Sequence, residues 1–297
     1  MDRLDAMQAF VAVADLQGFA PAARKLGLSP PTVTRLIATL EERLGVRLLQ
    51  RTTRSVALTD AGARYLERVR RILTDVEEAE GAAEGERTTP RGRLVISAPV
   101  GFGRLHVSPV VTAYLRRYPE VSCDLRLSDR MINLVEEGVD AAVRIGHLPD
   151  STLVARHIGL MRRIVVASKA YLKAHGEPKT PGDLVSRDTI QFGGAAVPAE
   201  WRFVDDGREI RIATIPRFST NSADAAIQYA EQGGGLTRVL AYQAADAIKR
   251  GALGIVLQKF EQPPLPIHIV YPTSRLLSAK VRAFIDLATE TADWNFG

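Results

Sequence analysis

Sulfur and aromatic rings are scarce in this chain: one cysteine and four methionines in 297 residues, with Phe, Trp and Tyr together at 6%. A single Cys123 cannot close an internal disulfide, and its place in a strand-like run reads as packing rather than redox chemistry. Histidine is sparse too. His106, His147, His157, His175 and His268 stand singly, without the close pairing of a metal motif, and no serine sits in a nucleophile elbow. The sequence therefore shows no metal set, no cofactor motif and no catalytic constellation. It also lacks an apolar run long enough to span a bilayer, and its first thirty residues read as amphipathic helix rather than secretory signal, so the expectation is a cytoplasmic protein with no membrane partner. The charge excess is modest: 39 Lys and Arg against 34 Asp and Glu give +5, with a pI near 9.5. That balance suits contact with phosphates without long basic tails.

What is present is concentrated near the N-terminus. In Phe19-Ala-Pro-Ala-Ala-Arg-Lys-Leu-Gly-Leu-Ser-Pro-Pro-Thr-Val-Thr-Arg35, an Ala-rich helix ends at Gly27 and a second starts at Ser29, a good N-cap, with Pro30 in its first turn. Two helices joined by so tight a turn cross steeply, the geometry that sets a second helix in a DNA major groove. On that helix Val33, Ile37, Leu40 and Leu44 recur at helical spacing and face a core, while Thr32, Arg35 and Thr39 lie opposite. Leu4, Met7, Phe10, Val11 and Ala14 supply the partner face, closing a three-helix core with Ala23 and Leu26.

After Leu44 the period changes. Residues 47–59 read as two short strands around a polar Arg-Thr-Thr-Arg-Ser tip, a wing whose Arg51 and Arg54 suit the phosphate backbone and a narrow minor groove. Five Arg against Glu41 and Glu42 give residues 29–59 a local balance of +3. The candidate DNA-contacting residues are Ser29, Pro30, Pro31, Thr32, Thr34, Arg35, Arg51, Thr52 and Arg54.

These features resemble the LysR-type transcriptional regulators. The resemblance is carried by Leu4-Asp-Ala-Met-Gln-Ala-Phe-Val-Ala-Val-Ala14, by the Ala-Ala-Arg-Lys-Leu-Gly-Leu-Ser run, by Leu44-Gly-Val-Arg-Leu-Leu-Gln-Arg-Thr-Thr-Arg54 and by Leu58-Thr-Asp-Ala-Gly62. Two departures are Gln17-Gly18 in the turn before Phe19, where the family often has Ser or Gly, and Pro21 in a first turn that tolerates it. Further on, Arg144-Ile-Gly, Trp201-Arg-Phe, Gln232-Gly-Gly-Gly-Leu and Lys280-Val-Arg-Ala-Phe resemble one subgroup of the family's effector domains.

A long helix follows, from Asp60 to about Glu84, with a heptad-like seam of Leu66, Val69, Leu73, Val76 and Ala83 that Glu80 interrupts. Pairing with the same helix of a second subunit buries such a seam and supplies two recognition helices; packing on its own chain is the alternative. The resemblance favours pairing, since this segment corresponds to the family's dimerising linker helix, and leaves dimer or tetramer open.

Residues 85–93, rich in Gly, Pro and unpatterned charge, break the periodicity and mark a linker. The expected division is a winged helix-turn-helix domain over 1–60, a linker helix over 61–87 and an effector domain over 88–297. Strand-like runs at 94–97, 122–127 and 141–145, separated by helical stretches at 109–118 and 131–137, imply βαβ units with a parallel sheet. A second set runs from Ile164 to Leu257, with helical stretches near Tyr171 and over Ala223 to Glu231, and a hairpin turning at Asp206-Gly207. A strand over 266–271 and a helix over 278–291 return to the first set. The fold class expected is α/β behind a winged helix-turn-helix, and the resemblance implies a two-lobed, periplasmic-binding-protein-like (type 2) domain, with lobe I about 91–163 and 267–297 and lobe II about 164–266.

A cleft between such lobes binds ligands at the carboxyl ends of strands, where helix N-termini present free amides. Pro99, Val100, Gly101, Phe102, Ser128, Arg144, Gly146, Thr220, Asn221 and Arg238 are the candidate effector residues. Arginine forks suit planar anions, so the expected effector is a small organic acid; for Arg144 a salt bridge to Asp140 or Asp129 is an equal alternative. The function expected is a non-enzymatic regulator that binds double-stranded promoter DNA and a small-molecule effector and self-associates, with RNA polymerase a further partner left open. The large domain alone also fits a soluble solute-binding protein or an enzyme; the attached DNA-reading module argues against both.

Overall fold

The computed structural model describes residues 2–51, 56–83, 89–148, 153–193, 199–273 and 277–296. It comprises two compact units, Met1–Thr88 and Thr89–Gly297.

In the first unit local chemistry sets each helix boundary. Helix α1 (Arg3–Leu16) begins where the Asp2 carboxylate accepts the Leu4 N–H, α2 (Phe19–Leu26) ends at Gly27 with φ of 66°, and α3 (Pro30–Leu44) begins where Ser29 Oγ accepts the Thr32 N–H at 3.3 Å. The core is closed by Ala6, Ala9, Phe10 and Val13 of α1 with Ala23, Val33, Ile37 and Leu40. Leu4, Val11 and Ala14, expected in that core, lie at its edge, and Leu36 is buried where Leu44 is only half-buried. Small alanines allow α1 to approach closely, which moves the contact stripe toward its Ala6–Val13 side.

The wing consists of β1 (Leu49–Arg51) paired antiparallel with β2 (Val56–Leu58). Its tip, with Thr52 and Arg54, and the side chain of Arg51 lie outside the described residues. Helix α4 (Asp60–Ala83) follows. Its seam does not all await a partner: Leu66 and Val69 are buried within this unit, and Arg70 pairs with Asp15 of α1, whereas Leu73 and Val76 are half-buried. Packing on its own chain thus accounts for the first half of the seam.

One buried acid organises the passage from α3 to α4. The Glu41 carboxylate, 5% exposed, accepts the Leu48 N–H at 2.8 Å and the Leu49 N–H at 3.1 Å, and Arg47 lies 3.4 Å away. On the other side Thr59 Oγ donates to the Arg47 carbonyl at 2.8 Å and the Thr59 N–H to the Leu48 carbonyl at 3.0 Å, while Gly62 comes so close that a β-carbon there would lie 2.0 Å from the Leu48 oxygen.

In the second unit the chain runs β3 (Gly92–Ala98), α5 (Val100–Phe102), a π-turn over Gly103–Val107, α6 (Ser108–Arg117), β4 (Val121–Leu127), α7 (Leu134–Glu137), β5 (Ala141–Ile145) and β6 (Leu153–Met161). It then crosses to β7 (Arg163–Ser168), α8 (Lys169–His175), β8 (Thr189–Phe192), the hairpin β9 (Glu200–Asp205) and β10 (Arg208–Ala213), β11 (Pro216–Thr220), α9 (Ala223–Glu231), β12 (Leu236–Leu240), α10 (Ala241–Lys249) and β13 (Leu253–Val256). It returns as β14 (Leu265–Pro272), α11 (Ala279–Thr291) and β15 (Asn295–Phe296).

Among the described residues of this unit two large sheets result, ordered β15-β6-β14-β5-β3-β4 and β11-β8-β12-β7-β13, beside the two-stranded β9-β10 hairpin. The parallel pairing expected for the first lobe holds for β3 with β4 and β5, and the short β15 also runs parallel to β6; β14 runs antiparallel to both β5 and β6. A strand that enters from the other lobe starts at the end where its neighbours finish, so it must run against them. The expected helix over 131–137 shortens to α7 because the Asn133 side chain caps the Val135 N–H and starts the helix there. The Asp206-Gly207 turn forms as expected, with φ of 46° and 77°, the pair of positive angles a two-residue hairpin needs.

Replacing Glu41 by Ala leaves two buried amides without an acceptor and should destabilise the N-terminal unit by about 2–4 kcal/mol. Glu41→Gln, which keeps one acceptor oxygen, should lose less; chemical denaturation followed by circular dichroism ranks the two.

Candidate functional site

The exposed end of α3 offers few free groups. Ser29 and Thr32 hydroxyls lie 2.8 Å apart and bond each other, and Thr34 Oγ donates to the Pro30 carbonyl at 3.0 Å. Pro30 and Pro31 are exposed but bring no donor of their own. Arg35, also exposed, has no hydrogen bond or ion pair among the described residues, so its guanidinium is free to bond outward.

In the second unit the loops at the strand ends do meet. Phe102 is buried with its ring 5.2 Å from that of Tyr242 on α10, and a β-carbon at Gly101 would lie 3.1 Å from the Tyr242 oxygen. Arg104 stands 3.9 Å from Asp224 in the first turn of α9. Elements of both lobes therefore converge at Gly101, Phe102 and the N-terminus of α9. There Ser222 Oγ caps the Ala225 N–H, Thr220 Oγ accepts the Ser222 N–H and Asn221 is exposed. Burial pushes the Tyr242 phenol up to about 12 against the hydrogen bond from Gln243, with Asp129 and Asp224 adding to the rise. Tyr242 and Asp224 were not singled out in the sequence, and Asp129 was weighed only as a partner of Arg144, because nothing local distinguishes a tyrosine or an aspartate that the fold brings to a seam.

The Val100 amide, expected to be free for an anion, already donates to Asp129 Oδ1 at 3.0 Å. Ser128 is tied to the same turn: its N–H donates to the Ala98 carbonyl and its Oγ accepts the Arg130 N–H at 3.1 Å. Gly146, with φ of 121°, donates to the Pro266 carbonyl at 2.9 Å.

The two candidate arginines lie on different sheets, Arg144 on β5 and Arg238 on β12. Arg144 lies within β5, opposite His268 on β14. The salt bridges weighed for it are not formed: Asp129 holds the Val100 amide, and Asp140 accepts the Val95 N–H at 2.7 Å. Burial lowers the Arg144 guanidinium, with Glu137 opposing at longer range. Arg238 sits on the hairpin side of β12, donating to Gln262 Oε1 at 2.6 Å, with its guanidinium carbon 5.6 Å from the centre of the Phe203 ring. Burial, then Arg163 and Arg202, bring it down to about 10. It is engaged there with Gln262 and the Phe203 ring. The Cys123 thiol is pushed up to about 11 by burial and by Asp124 and Asp140, which keeps it protonated and poorly nucleophilic.

His106 lies among Phe102, Tyr242 and Phe296, with ring centres 4.7 to 5.6 Å away. Burial lowers its pKa.

Comparison with known proteins places this geometry. Residues 4–63 match the model of the bacterial regulatory helix-turn-helix proteins of the lysR family, and residues 87–293 match the LysR substrate binding domain. An uncharacterized HTH-type transcriptional regulator of Haemophilus influenzae is 34% identical, over 95% of this chain and 98% of its own. The HTH-type transcriptional activator AaeR of Escherichia coli is 30% identical, over 98% and 94%. Among solved structures, CrgA of Neisseria meningitidis, a LysR-type transcriptional regulator, is 30% identical with a TM-score of 0.61, covering 96% of this chain and 97% of that one. The full-length Vibrio cholerae virulence activator AphB is 27% identical with a TM-score of 0.61, covering 97% and 98%.

Because the folded pKa of His106 lies below its ordinary value, the unfolded chain takes up the proton first as the pH falls, and stability is lost from about pH 6.5 downward. Melting curves of wild type and His106→Gln between pH 7.5 and 5.5 should converge on acidification, with the variant losing less.

Proposed function

This chain belongs to the LysR family of bacterial helix-turn-helix regulators, and on that premise we propose how it reads DNA and what controls it. It is a DNA-binding transcriptional regulator with a substrate-binding domain, and its relatives are regulators rather than enzymes. The finer reading is that α3 enters the major groove of promoter DNA with Arg35 as its base-reading side chain. The observation that carries this is an exposed guanidinium, without a partner among the described residues, on a helix that starts at the Ser29 cap. Ser29, Pro30, Pro31, Thr32 and Thr34 lie at the helix N-terminus and approach the phosphate backbone, where the first-turn amides favour negative charge. Arg51, Thr52 and Arg54 of the wing flank the groove.

Two copies pair through the C-terminal half of α4, where Leu73 and Val76 continue the seam beyond the buried Leu66 and Val69, and so present two recognition helices. Acting at a promoter, in the cytoplasm, brings RNA polymerase within reach as a further partner. No described helix is long and apolar enough to cross a membrane.

The effector is a small organic acid taken up between the lobes, where Pro99, Val100, Gly101 and Phe102 meet α10 and α9, with Ser128, Gly146, Thr220 and Asn221 around them and Arg144 supplying positive charge. It is bound and released unchanged. An effector that favours one arrangement of the lobes changes operator affinity, and the operator must change effector affinity by the same factor.

Arg35→Ala should lose specific operator binding by roughly 1–3 kcal/mol while folding normally, since it opens no cavity. Footprinting on the promoter beside the protein's own gene checks this; an unchanged protection pattern would show that another element reads the bases.

Calorimetric titration of a panel of small carboxylic acids, with and without operator DNA, should find one whose affinity differs between the two titrations. Equal affinities, or conversion of the acid to product, would rule out this mode of control.

A further inference from the structure

Four neighbouring strands of the first sheet, β6, β14, β5 and β3, carry a row of polar groups across one face. Ser97 of β3 pairs with Ala142 of β5, Arg144 with His268 of β14, and His268 with His157 of β6. Side chains alternate along a strand, so these groups share the face of Val95, Ala142 and Val270 and turn away from the Leu94, Ile96, Val143, Ile267 and Ile269 core. The His157 and His268 ring centres are 5.6 Å apart, which fits that side-by-side placement.

Ser97 is fully buried and Arg144 is 8% exposed. Ser97 Oγ, Arg144 Nη2 and His268 Nδ1 are each shut off from solvent without a hydrogen-bond partner. Among the described residues Arg144 makes one long hydrogen bond, 3.4 Å from Nη1 to the carbonyl of its own neighbour Val143. No described carboxylate forms an ion pair with it: Glu137 acts on it only at longer range, and Asp140 bonds the Val95 amide and lies 3.8 Å from Lys280 Nζ. Burial, then His157 and His147, lower the pKa of His268. All three orphan atoms can donate, and one is cationic. Water would fill their hydrogen bonds but would leave the buried charge uncompensated.

We propose that Ser97, Arg144 and His268 form a seat for one small oxyanion, a carboxylate or a phosphate, which the guanidinium pairs and the two other groups orient. The other place for an anion, the Val100 amide, is already filled by Asp129. The seat stands on these three side chains; only the step that makes its occupant the regulatory effector rests on the reading given above.

The test is titration of the full-length chain with sodium acetate and with sodium phosphate against sodium chloride at matched ionic strength, read by calorimetry and by melting temperature. Saturable binding of one anion per chain is expected, lost at least tenfold in Arg144→Gln, weakened about fivefold in Ser97→Ala and unchanged in Arg202→Gln. In anion-free buffer Arg144→Gln should melt above the wild type, because a buried charge without a partner has been removed; an arginine that merely packs would give a lower melting point. Preference for acetate identifies a carboxylate head as the occupant, and displacement of acetate by phosphate identifies the free inorganic ion. Absence of saturable binding by either anion, or undiminished binding in Arg144→Gln, would overturn the seat. Should that variant fail to fold, undiminished acetate affinity in Ser97→Ala would do the same. Acetate binding that leaves operator affinity unchanged would keep the seat and remove its regulatory role.

Discussion

Both passages of the chain between the two sheets of the C-terminal unit run past one ion pair. Arg162, between β6 and β7, forks onto Glu261, between β13 and β14, with both N···O distances 2.9 Å. The pair is mostly shielded, and the bond to Glu261 raises the guanidinium pKa against the effect of burial. Charge-assisted bonds of this kind contribute about 1.5–3 kcal/mol each where water is excluded, and less at the partial exposure here. Their geometric effect matters more. Two crossings anchored at one point hold the lobes together there and resist their sliding apart. The same segment ties down the end of the chain, since the Arg162 N–H donates to the Phe296 carbonyl at 3.1 Å.

The N-terminal unit solves a comparable problem with a single buried carboxylate. A recognition helix is useful only if its wing holds a fixed direction, and the three residues between Gly45 and Leu49 make no helix or strand of their own. Glu41 gives two of their neighbouring amides a partner inside the protein, and Thr59 and Gly62 close on Leu48 from the other side. The cost of burying an acid is offset by the direct bonds it accepts. By contrast, the Ser97, Arg144 and His268 row leaves its donors open. In one molecule, a satisfied buried charge marks a joint and an unsatisfied one marks a place for a ligand.

Much of this was legible in the sequence wherever the cause is local. The Gly27 and Ser29 caps, the Asp206-Gly207 turn, the start of α9 at Ser222 and the course of α3 each depend on a few consecutive residues whose backbone preferences and hydrogen bonds act within a turn or two. The family resemblance rests on the same short runs. The linker helix was legible as a helix, but its seam could not say that α1 would cover Leu66 and Val69.

Tertiary structure decided what local rules leave free. The direction of β14 follows from its entry out of the second lobe, and the alternation of polar and apolar residues along β5 and β14 does not say which strands will be neighbours. His268 between Ile267 and Ile269, and Ser97 between Ile96 and Ala98, announced two-faced strands, yet only the sheet order sets them beside Arg144 on the same face. Glu41 looked like one acid among many on a helix until the chain beyond Gly45 folded back onto it. The sequence by itself determined the caps, turns and helix that make the DNA-reading module, because those interactions span a few residues. The partners of its buried charges were decided by strands and loops tens of residues apart, because a charge is satisfied or left open only by what the completed fold brings within bonding distance.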